Sequence, residues 1–388
     1  MEHTPHLYDT LFGLFGQLRH VWKDIRHLKT FIWMLVGLIC EEKVHLPAWS
    51  PYVISRAQQA QSTVRRFRRW LNNHRIDVNA IWTAYIRHTL ANWQGTLYLV
   101  LDTTSLWGRF CWIRVSLVYR GRAIPIAWRI IAHKSTNVAF SLSKQVLLQA
   151  AKAIPKGVKV VLLADRGFAD VKLMRFLKEQ LHWHWRIRIK KSFWFYTSSG
   201  HWRKVSRIVP GKGQAIIYTN AYITCQRFGP VCLGIGRPLT CKSPWYVVSD
   251  EPLGMEMFYE YGLRTDIEES VLDDKSNGFK IEGSRIDEAK ALNRLVMVLA
   301  GVTLYLVSQG VKVVREKKRR WVDPHWYRGL SYLKIGWRYV KRALACGWRL
   351  MDRFFLPPGE DPEPAIANKR QLHKLKQKRF VKLLMVFT

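Results

Sequence analysis

Acidic residues are scarce in this chain of 388 residues. It has 28 Asp and Glu against 63 Lys and Arg, which gives a formal net charge of +35 at pH 7. A charge of this size repels itself unless a polyanion neutralises it. Nucleic acid is the first candidate for that partner, an anionic membrane surface is the second, and the ribosome is the third.

Cysteines and long apolar runs are also in short supply. The six cysteines are scattered, without a CxxC pair or a Cys/His cluster spaced for zinc, so we expect reduced thiols in a cytosolic protein. The apolar run at 31–40 is too short to span a bilayer and predicts a buried helix. No signal peptide is recognisable, and we expect no membrane association.

Hydrophobic residues make up 48% of the chain and aromatic residues 13%, which is enough for a large core in two or three domains. Residues 1–94 have apolar positions at helical spacing, which predict a helical domain, and its basic residues make DNA binding the expected role. The stretch 62–77 within it is dense in arginine, and either a DNA-reading helix or a solvated basic face explains it. The arginines concerned are Arg65, Arg66, Arg68 and Arg69.

Strand patterns replace helical ones from Gly95 onward, and they predict a mixed α/β core. A meander of three strands, with a turn at Arg120-Gly121, is followed by helix, strand, helix and strand, in the order β-β-β-α-β-α-β. The predicted strands are 96–105, 112–119, 123–131, 159–168 and 183–190, and the predicted helices are 141–154 and 171–181.

The rest of the chain divides by composition. Glycines, aromatics and short β-like runs predict a β-rich insertion, and a strand at 244–250 then returns to the core. Further helices are predicted at 254–275, 286–310 and 327–346. The predicted divisions are 95–190 and 245–310 for the two parts of the core, 191–244 for the insertion, and 311–388 for a basic C-terminal helical region and tail.

Two predicted strands end in an acid, Asp102 in VLDTT and Asp165 in LADRGF. Strand ends of an open α/β sheet are where sites are built, and a third acid, Glu268, lies on the predicted helix 254–275. Carboxylates that converge repel one another unless a hard cation such as Mg²⁺ or Mn²⁺ binds them. The simpler alternatives are a turn or helix cap for each aspartate and a surface ion pair with Arg264 or Lys275 for the glutamate.

The segment YGLRTDIEESVLDDK, residues 261–275, places polar groups on one side of that predicted helix. At about 100° per residue, four of them fall within an arc of about 60°. They are Tyr261, Arg264, Glu268 and Lys275. An acid and two bases on one stripe suit a phosphate-rich partner held near a metal.

The same four residues fit the pattern Y-x2-R-x3-E-x6-K, which resembles the signature of the IS4-type transposases. The segments LDTTS and LADRGF also resemble those around the first and second aspartates of that family. The resemblance extends over about residues 95 to 340. It implies an RNase H-like mixed sheet flanked by helices, in which Asp102, Asp165 and Glu268 form a metal-binding DDE triad for Mg²⁺ or Mn²⁺.

The resemblance also implies DNA contacts. Tyr261, Arg264 and Lys275 match the family's contacts to phosphates at the transposon end. Members that form DNA hairpins often have a tryptophan after the motif arginine, where this chain has Thr265. Such members hold a flipped base with an aromatic residue of the insertion, and the candidates here are Trp194 and Trp202, with ordinary packing as the alternative.

The function implied by the resemblance is that of a cut-and-paste DNA transposase. It would cleave double-stranded DNA at transposon ends and transfer the strand into target DNA, as a homodimer on paired ends in the bacterial cytoplasm, associated with the nucleoid. The alternatives are a catalytically inactive DNA-binding relative and a nuclease on the same fold without strand transfer. A membrane-surface protein is disfavoured, because the bases are not confined to one amphipathic helix.

Overall fold

The computed structural model describes residues 4–197, 200–239, 243–264 and 278–367, with Leu372 and residues 382–387. Five helices precede the sheet, and local capping sets the start of two of them. Asp24 accepts a hydrogen bond from the backbone N–H of Arg26, and Asp77 from that of Ala80, which satisfies amides that a first helical turn leaves free. The helices are α1 (Thr4–Gly16), α2 (Ile25–Glu41), α3 (Leu46–Trp49), α4 (Ala60–Leu71) and α5 (Val78–Leu90).

One mixed sheet of eleven strands forms the centre of the protein, in the order β3-β2-β1-β4-β5-β10-β9-β8-β6-β7, with β11 paired to β8. The pairs β1–β4, β4–β5 and β8–β11 are parallel, and the others are antiparallel. The strands are β1 (Leu97–Leu106), β2 (Phe110–Tyr119), β3 (Arg122–Ala132), β4 (Val160–Ala164), β5 (His184–Arg188), β6 (Trp194–Tyr196), β7 (Trp202–Lys204), β8 (Gln214–Ile223), β9 (Phe228–Gly236), β10 (Trp245–Ser249) and β11 (Lys382–Phe387).

Two tight turns join the first three strands. Trp107 and Gly108 have φ of 50° and 64°, and Arg120 and Gly121 have φ of 48° and 80°. Two consecutive positive φ values are what a type I′ hairpin turn requires, and glycine adopts them without strain. The turn expected at Arg120-Gly121 is therefore confirmed, as is the element order β-β-β-α-β-α-β through β5.

The two faces of the sheet are covered differently. One face, with Leu99, Leu101, Leu162 and Trp185 fully buried, belongs to the main hydrophobic core. Helices α5, α6 (Phe140–Ala151) and α9 (Ala289–Arg315) lie against β3 on that side. The other face, called the α8 face below, is covered over β8, β9 and β10 by the short helix α8 (Glu256–Gly262). Between α6 and β5 lie α7 (Val171–Phe176) and a π-helical turn at Leu177–Leu181.

Helix α9 is the central helix of the core. Every residue from Arg294 to Val311 is buried. Among the described residues it is the one helix long and apolar enough to cross a membrane, but 89% of its most apolar window is buried inside the protein, as in the core helix of a folded domain. Helix α10 (Tyr332–Cys346) packs against it, and the core that they share includes residues of α1, α2, α4 and α5.

Two predicted helices have different bounds in the structure. Of the helix expected at 254–275, the structure has α8, which ends at Gly262, where glycine has a low helix propensity, and the chain continues as a turn through Arg264. Residues 265–275 of that prediction lie outside the described residues. The helix expected at 327–346 begins only at Tyr332, because Ser331 caps it through the backbone N–H of Lys334. Strands β6 to β9 of the predicted insertion continue the central sheet.

Candidate active site

Two sequence-predicted acids lie side by side at one edge of the sheet. The parallel strands β1 and β4 pair Leu101 with Ala164, so Asp102 and Asp165 are the next residues on adjacent strands. Neighbouring strands are about 4.8 Å apart, and residues in register share a face. The two half-buried aspartates therefore lie next to each other on the α8 face, at the C-terminal ends of their strands.

Two arginines extend this row of side chains. Arg114 of β2 pairs with Asp102 in the register and is 1% exposed. On the other side, Ala164 pairs with Ile187, so the half-buried Arg188 lies beside Asp165. Four adjacent strands thus present base, acid, acid and base in one line. A line with two carboxylates between two guanidinium groups can accept a cation and a phosphate together.

The end of α8 reaches this row. Burial raises the pKa of Tyr261, the charges of Arg264 and Arg188 lower it, and Asp165 raises it further, so all three charged groups are near the phenol. Tyr261 is 3% exposed, and its ring packs edge-on against Trp245 with 5.3 Å between centroids. Burial favours a packing role for Tyr261, whereas the half-buried Arg264 remains accessible to a ligand.

The remaining two motif residues cannot be placed. Glu268 and Lys275 lie outside the described residues. The third carboxylate of the proposed triad therefore stays a prediction, as do the roles of Tyr261 and Arg264 at DNA phosphates.

A buried arginine holds α8 in position over the sheet. Arg186 of β5 is 1% exposed and donates from Nε to Glu260 of α8 at 2.6 Å and from its Nη2 atom to Glu251 at 2.6 Å. Glu260 also accepts a hydrogen bond from the Tyr98 hydroxyl at 2.8 Å. The residue before Tyr261 is thereby fixed to both β1 and β5.

A second group of potential metal ligands lies at the opposite edge of the sheet. His184, Asp250 and Glu251 offer ligand atoms within 4.8 Å of one another. However, the Asp250 carboxylate accepts from His184 Nδ1 at 2.8 Å, and Glu251 is paired with both Arg186 and Lys159. These contacts already neutralise the acids, and they keep the pKa of Glu251 below its usual value although burial raises it. The arrangement is that of an ion-pair network.

The arginines of α4 divide into two groups. Arg65, Arg68 and Arg69 are exposed, whereas Arg66 is half-buried and lies over the Phe67 ring at 5.7 Å. Burial lowers the pKa of Arg66. The exposed three form a basic strip on the protein surface, and Arg66 is part of the helix packing.

The two tryptophans of the insertion touch each other. Trp194 of β6 and Trp202 of β7 stack at 5.3 Å between centroids, and Tyr196 lies 3.9 Å from Trp202. Trp202 is 38% exposed. The cluster therefore combines packing with an accessible ring, and its contact with DNA stays a prediction.

Arg114 and Arg188 were not among the sequence-predicted site residues, although the sequence contains a signal for one of them. In the strand WHWRIRIK, Arg186 and Arg188 are two residues apart and therefore share a face. Two arginines on one face of a buried strand need acidic partners, and this pattern would have indicated the α8 face.

No protein-family model and no curated protein matches the chain. Among solved structures, the protein is similar to a cryo-EM structure of a piggyBac transposase synaptic complex with hairpin DNA. The TM-score is 0.48 at 10% sequence identity, over 89% of this chain and 80% of that one. A likeness at this level does not by itself assign a function.

Proposed function

We propose that the chain is a DDE-type DNA transposase that cleaves DNA at transposon ends and joins the freed strand to target DNA. The observation that carries this proposal is the pair Asp102 and Asp165 on adjacent parallel strands, with the end of α8 beside them. The residue pattern from Tyr261 to Lys275 adds Glu268 as the third acid. The order β3-β2-β1-β4-β5, an antiparallel meander followed by two parallel strands, supports an RNase H-like core.

The donor set fits a hard divalent cation. Adjacent carboxylates offer only oxygen ligands, which suit Mg²⁺ or Mn²⁺, and Asp102, Asp165 and Glu268 would hold the ions. Bound ions of this kind activate the attacking oxygen and stabilise the leaving oxygen of a phosphoryl transfer. Arg188 and Arg264 bind the non-bridging oxygens of the scissile phosphate and orient it for in-line attack.

Basic side chains outside the candidate active site provide further contacts to DNA phosphates. A net charge of +35 favours a polyanion over the whole surface, and the exposed Arg65, Arg68 and Arg69 give α4 a phosphate-binding strip. Trp202 is accessible for a base. A homodimer on paired double-stranded ends, working on the bacterial nucleoid, follows from the resemblance.

Plasmid nicking tests the catalytic assignment. With Mg²⁺ or Mn²⁺, the parent protein should convert supercoiled plasmid to nicked circles, and EDTA should prevent it. Asp102→Asn and Asp165→Asn should each lower the rate by about 100-fold or more, because each weakens a ligand of the metal ions that would stabilise charge at the reacting phosphate. Asp170→Asn is the matched control, since Asp170 is exposed and caps α7 through Lys172. Equal rates in all four proteins would refute the assignment.

Strand joining separates the alternatives. A labelled oligonucleotide with a free 3′-hydroxyl should become joined to plasmid DNA by a transposase. Nicking without joining would identify a nuclease without strand transfer. Tight DNA binding with neither reaction would identify an inactive DNA-binding relative.

A further inference from the structure

Three highly exposed aromatic side chains lie on the connection between α9 and α10. Trp326 is 72% exposed, Tyr327 59% and Trp321 45%. They belong to residues 316–328, called the aromatic loop below. Several large exposed rings on one short connection mark a surface that contacts a partner.

The aromatic loop has a buried polar frame. Asp323 is fully buried and accepts hydrogen bonds from the backbone N–H groups of Gly329 at 2.9 Å and Leu330 at 3.3 Å. Arg319 is 6% exposed and donates to the carbonyl oxygens of His325 and Trp326, both at 2.8 Å. Because these contacts fix the backbone on both sides of the rings, the rings are held outward at little entropic cost on binding.

Cations surround the exposed rings. The Arg320 guanidinium lies 4.6 Å from the centroid of Trp326, and the Lys318 ammonium lies 5.6 Å from that of Trp321. The loop and α10 carry four further exposed bases. They are Lys317, Lys334, Arg338 and Arg342. Flat ring faces between cations match a partner with flat aromatic groups and regularly spaced negative charges.

The aromatic loop is far from the paired aspartates. Asn293, near the start of α9, bonds to the backbone of Ile130 on β3. The strand register places Ile130 level with Thr104 of β1, which is two residues beyond Asp102. The 22 residues that follow Asn293, up to Arg315, span about 33 Å of helix. The loop is therefore a separate surface from the candidate active site.

We infer that the aromatic loop binds unpaired bases of a single DNA strand, with Trp326 and Tyr327 stacking on bases and the nearby lysines and arginines contacting phosphates. The inference rests on the proposed function only in taking DNA as the polyanion. Stacking needs an exposed base face, which duplex DNA conceals, so single strands should be preferred over duplex.

Other partners fit this surface less well. A symmetric dimer would place the same basic patch of a second copy against this one, and the like charges would repel. The chain that follows residue 368 does not complement the patch either, since residues 369–379 contain six lysines and arginines and no acid. An anionic membrane would attract the bases, and it is an outcome of the test.

Binding assays without metal test the inference apart from catalysis. Fluorescence anisotropy in EDTA should compare a 20-nucleotide oligo(dT) with a 20-base-pair duplex over a range of salt concentrations. The double variant Trp326→Ala/Tyr327→Ala should bind the single strand about tenfold or more weakly, with little change for the duplex and an unchanged salt slope. Lys317→Gln/Arg320→Gln should instead lower the salt slope by about two. Ile54→Ala, at a distant apolar residue that is 57% exposed, is the matched control.

The binding results either support or overturn the inferred role of Trp326 and Tyr327. Trp326→Phe/Tyr327→Phe should restore single-strand binding, since the stacking face is kept. The inference is overturned if the double alanine variant binds oligo(dT) within twofold of the parent, or if it loses duplex binding equally. It is also overturned if the variant loses only its binding to vesicles of phosphatidylserine and phosphatidylcholine. Because cleavage is not measured, an inactive enzyme would leave this result intact.

Discussion

At the scale of single residues, Arg186 joins acids from two elements in the middle of the α8 face. Its side chain is 1% exposed and bonds to Glu260 of α8 and to Glu251 beyond β10. A buried guanidinium is stable only while its acidic partners remain in place. The position of Tyr261 and Arg264 near Asp165 therefore depends on a buried residue two positions before Arg188.

Arg186→Met should lower the free energy of unfolding by about 3–5 kcal/mol, because it leaves partly buried carboxylates without their partner. Lys159→Met is the control, since Lys159 is 47% exposed and pairs with Glu251 at 2.6 Å, and it should cost at most about 1 kcal/mol. Urea unfolding measures both changes. A similar small change in both variants would contradict the role given to Arg186.

Asp323 should make the stability of the protein depend on pH. Burial would raise the pKa of Asp323, but hydrogen bonds from Gly329, His325 and Leu330 outweigh it and lower the pKa. A depressed folded-state pKa gives stability that is present above about pH 4 and lost as the pH falls through the folded value. Asp323→Asn should therefore be less stable than the parent by about 1.5–3 kcal/mol at pH 7.

The difference in the free energy of unfolding between the parent and Asp323→Asn should shrink as the pH falls from 5 to 2. The reason is that the parent's Asp323 carboxylate becomes protonated, whereas the variant has no such group. Thermal unfolding at a series of pH values gives the comparison. A difference that stays constant over this range would show that folding does not lower the pKa of Asp323.

Asp102 and Asp165 could be predicted from the sequence, because each follows a run of apolar residues and the end of such a run indicates the end of a buried strand. Sequence reasoning missed Arg114, since a lone basic residue in a basic chain carries no signal until the strand register places it beside an acid. It also missed Arg188, although the spacing of Arg186 and Arg188 on one strand face was a signal. The register depends on contacts between segments far apart in sequence, which a local pattern does not contain.

At the scale of elements, α9 and α10 cross with their backbones in contact. A Cβ on Gly310 would lie 2.0 Å from the carbonyl oxygen of Tyr332, and one on Gly336 would lie 1.9 Å from that of Leu306. The two glycines therefore permit an approach that no other residue allows, because backbone atoms cannot rotate away as side chains do.

Gly310→Ala and Gly336→Ala should each destabilise the protein by about 3 kcal/mol or more, since the helices must separate to admit a methyl group. Gly13→Ala in α1 is the matched control, because a Cβ there meets nothing within 4 Å. It should be neutral or stabilising by up to about 1 kcal/mol through helix propensity. The melting temperatures of the three variants test this, and a melting temperature for Gly336→Ala at or above that of the parent would rule out the close crossing.

The boundaries of elements were predicted less well than their order. The sequence predicts one helix over 254–275. In the structure α8 ends at Gly262. Met257, Phe258 and Tyr261 of the helix lie on β8–β10, whereas Leu263, beyond its end, packs with Val100 and Leu163. Which cluster a side chain joins is decided by tertiary packing.

At the scale of the whole molecule, the net charge of +35 should make duplex binding steeply dependent on salt. Arg65→Gln/Arg68→Gln should reduce the slope of log Kd against log salt by about two, because both side chains are exposed and each releases about one counterion on binding. Arg66→Gln, half-buried over Phe67, should leave the slope unchanged. Equal effects of the exposed pair and Arg66 would show that α4 does not face the DNA.

Helix α9 has a further consequence, because it is enclosed along its length by the core. A rod that is buried from Arg294 to Val311 cannot bend without disturbing its neighbours on every side. It therefore holds its own two ends at a fixed separation of about 33 Å. One end is bonded to β3 through Asn293, and the other leads into the aromatic loop, so the loop keeps a constant position relative to the sheet.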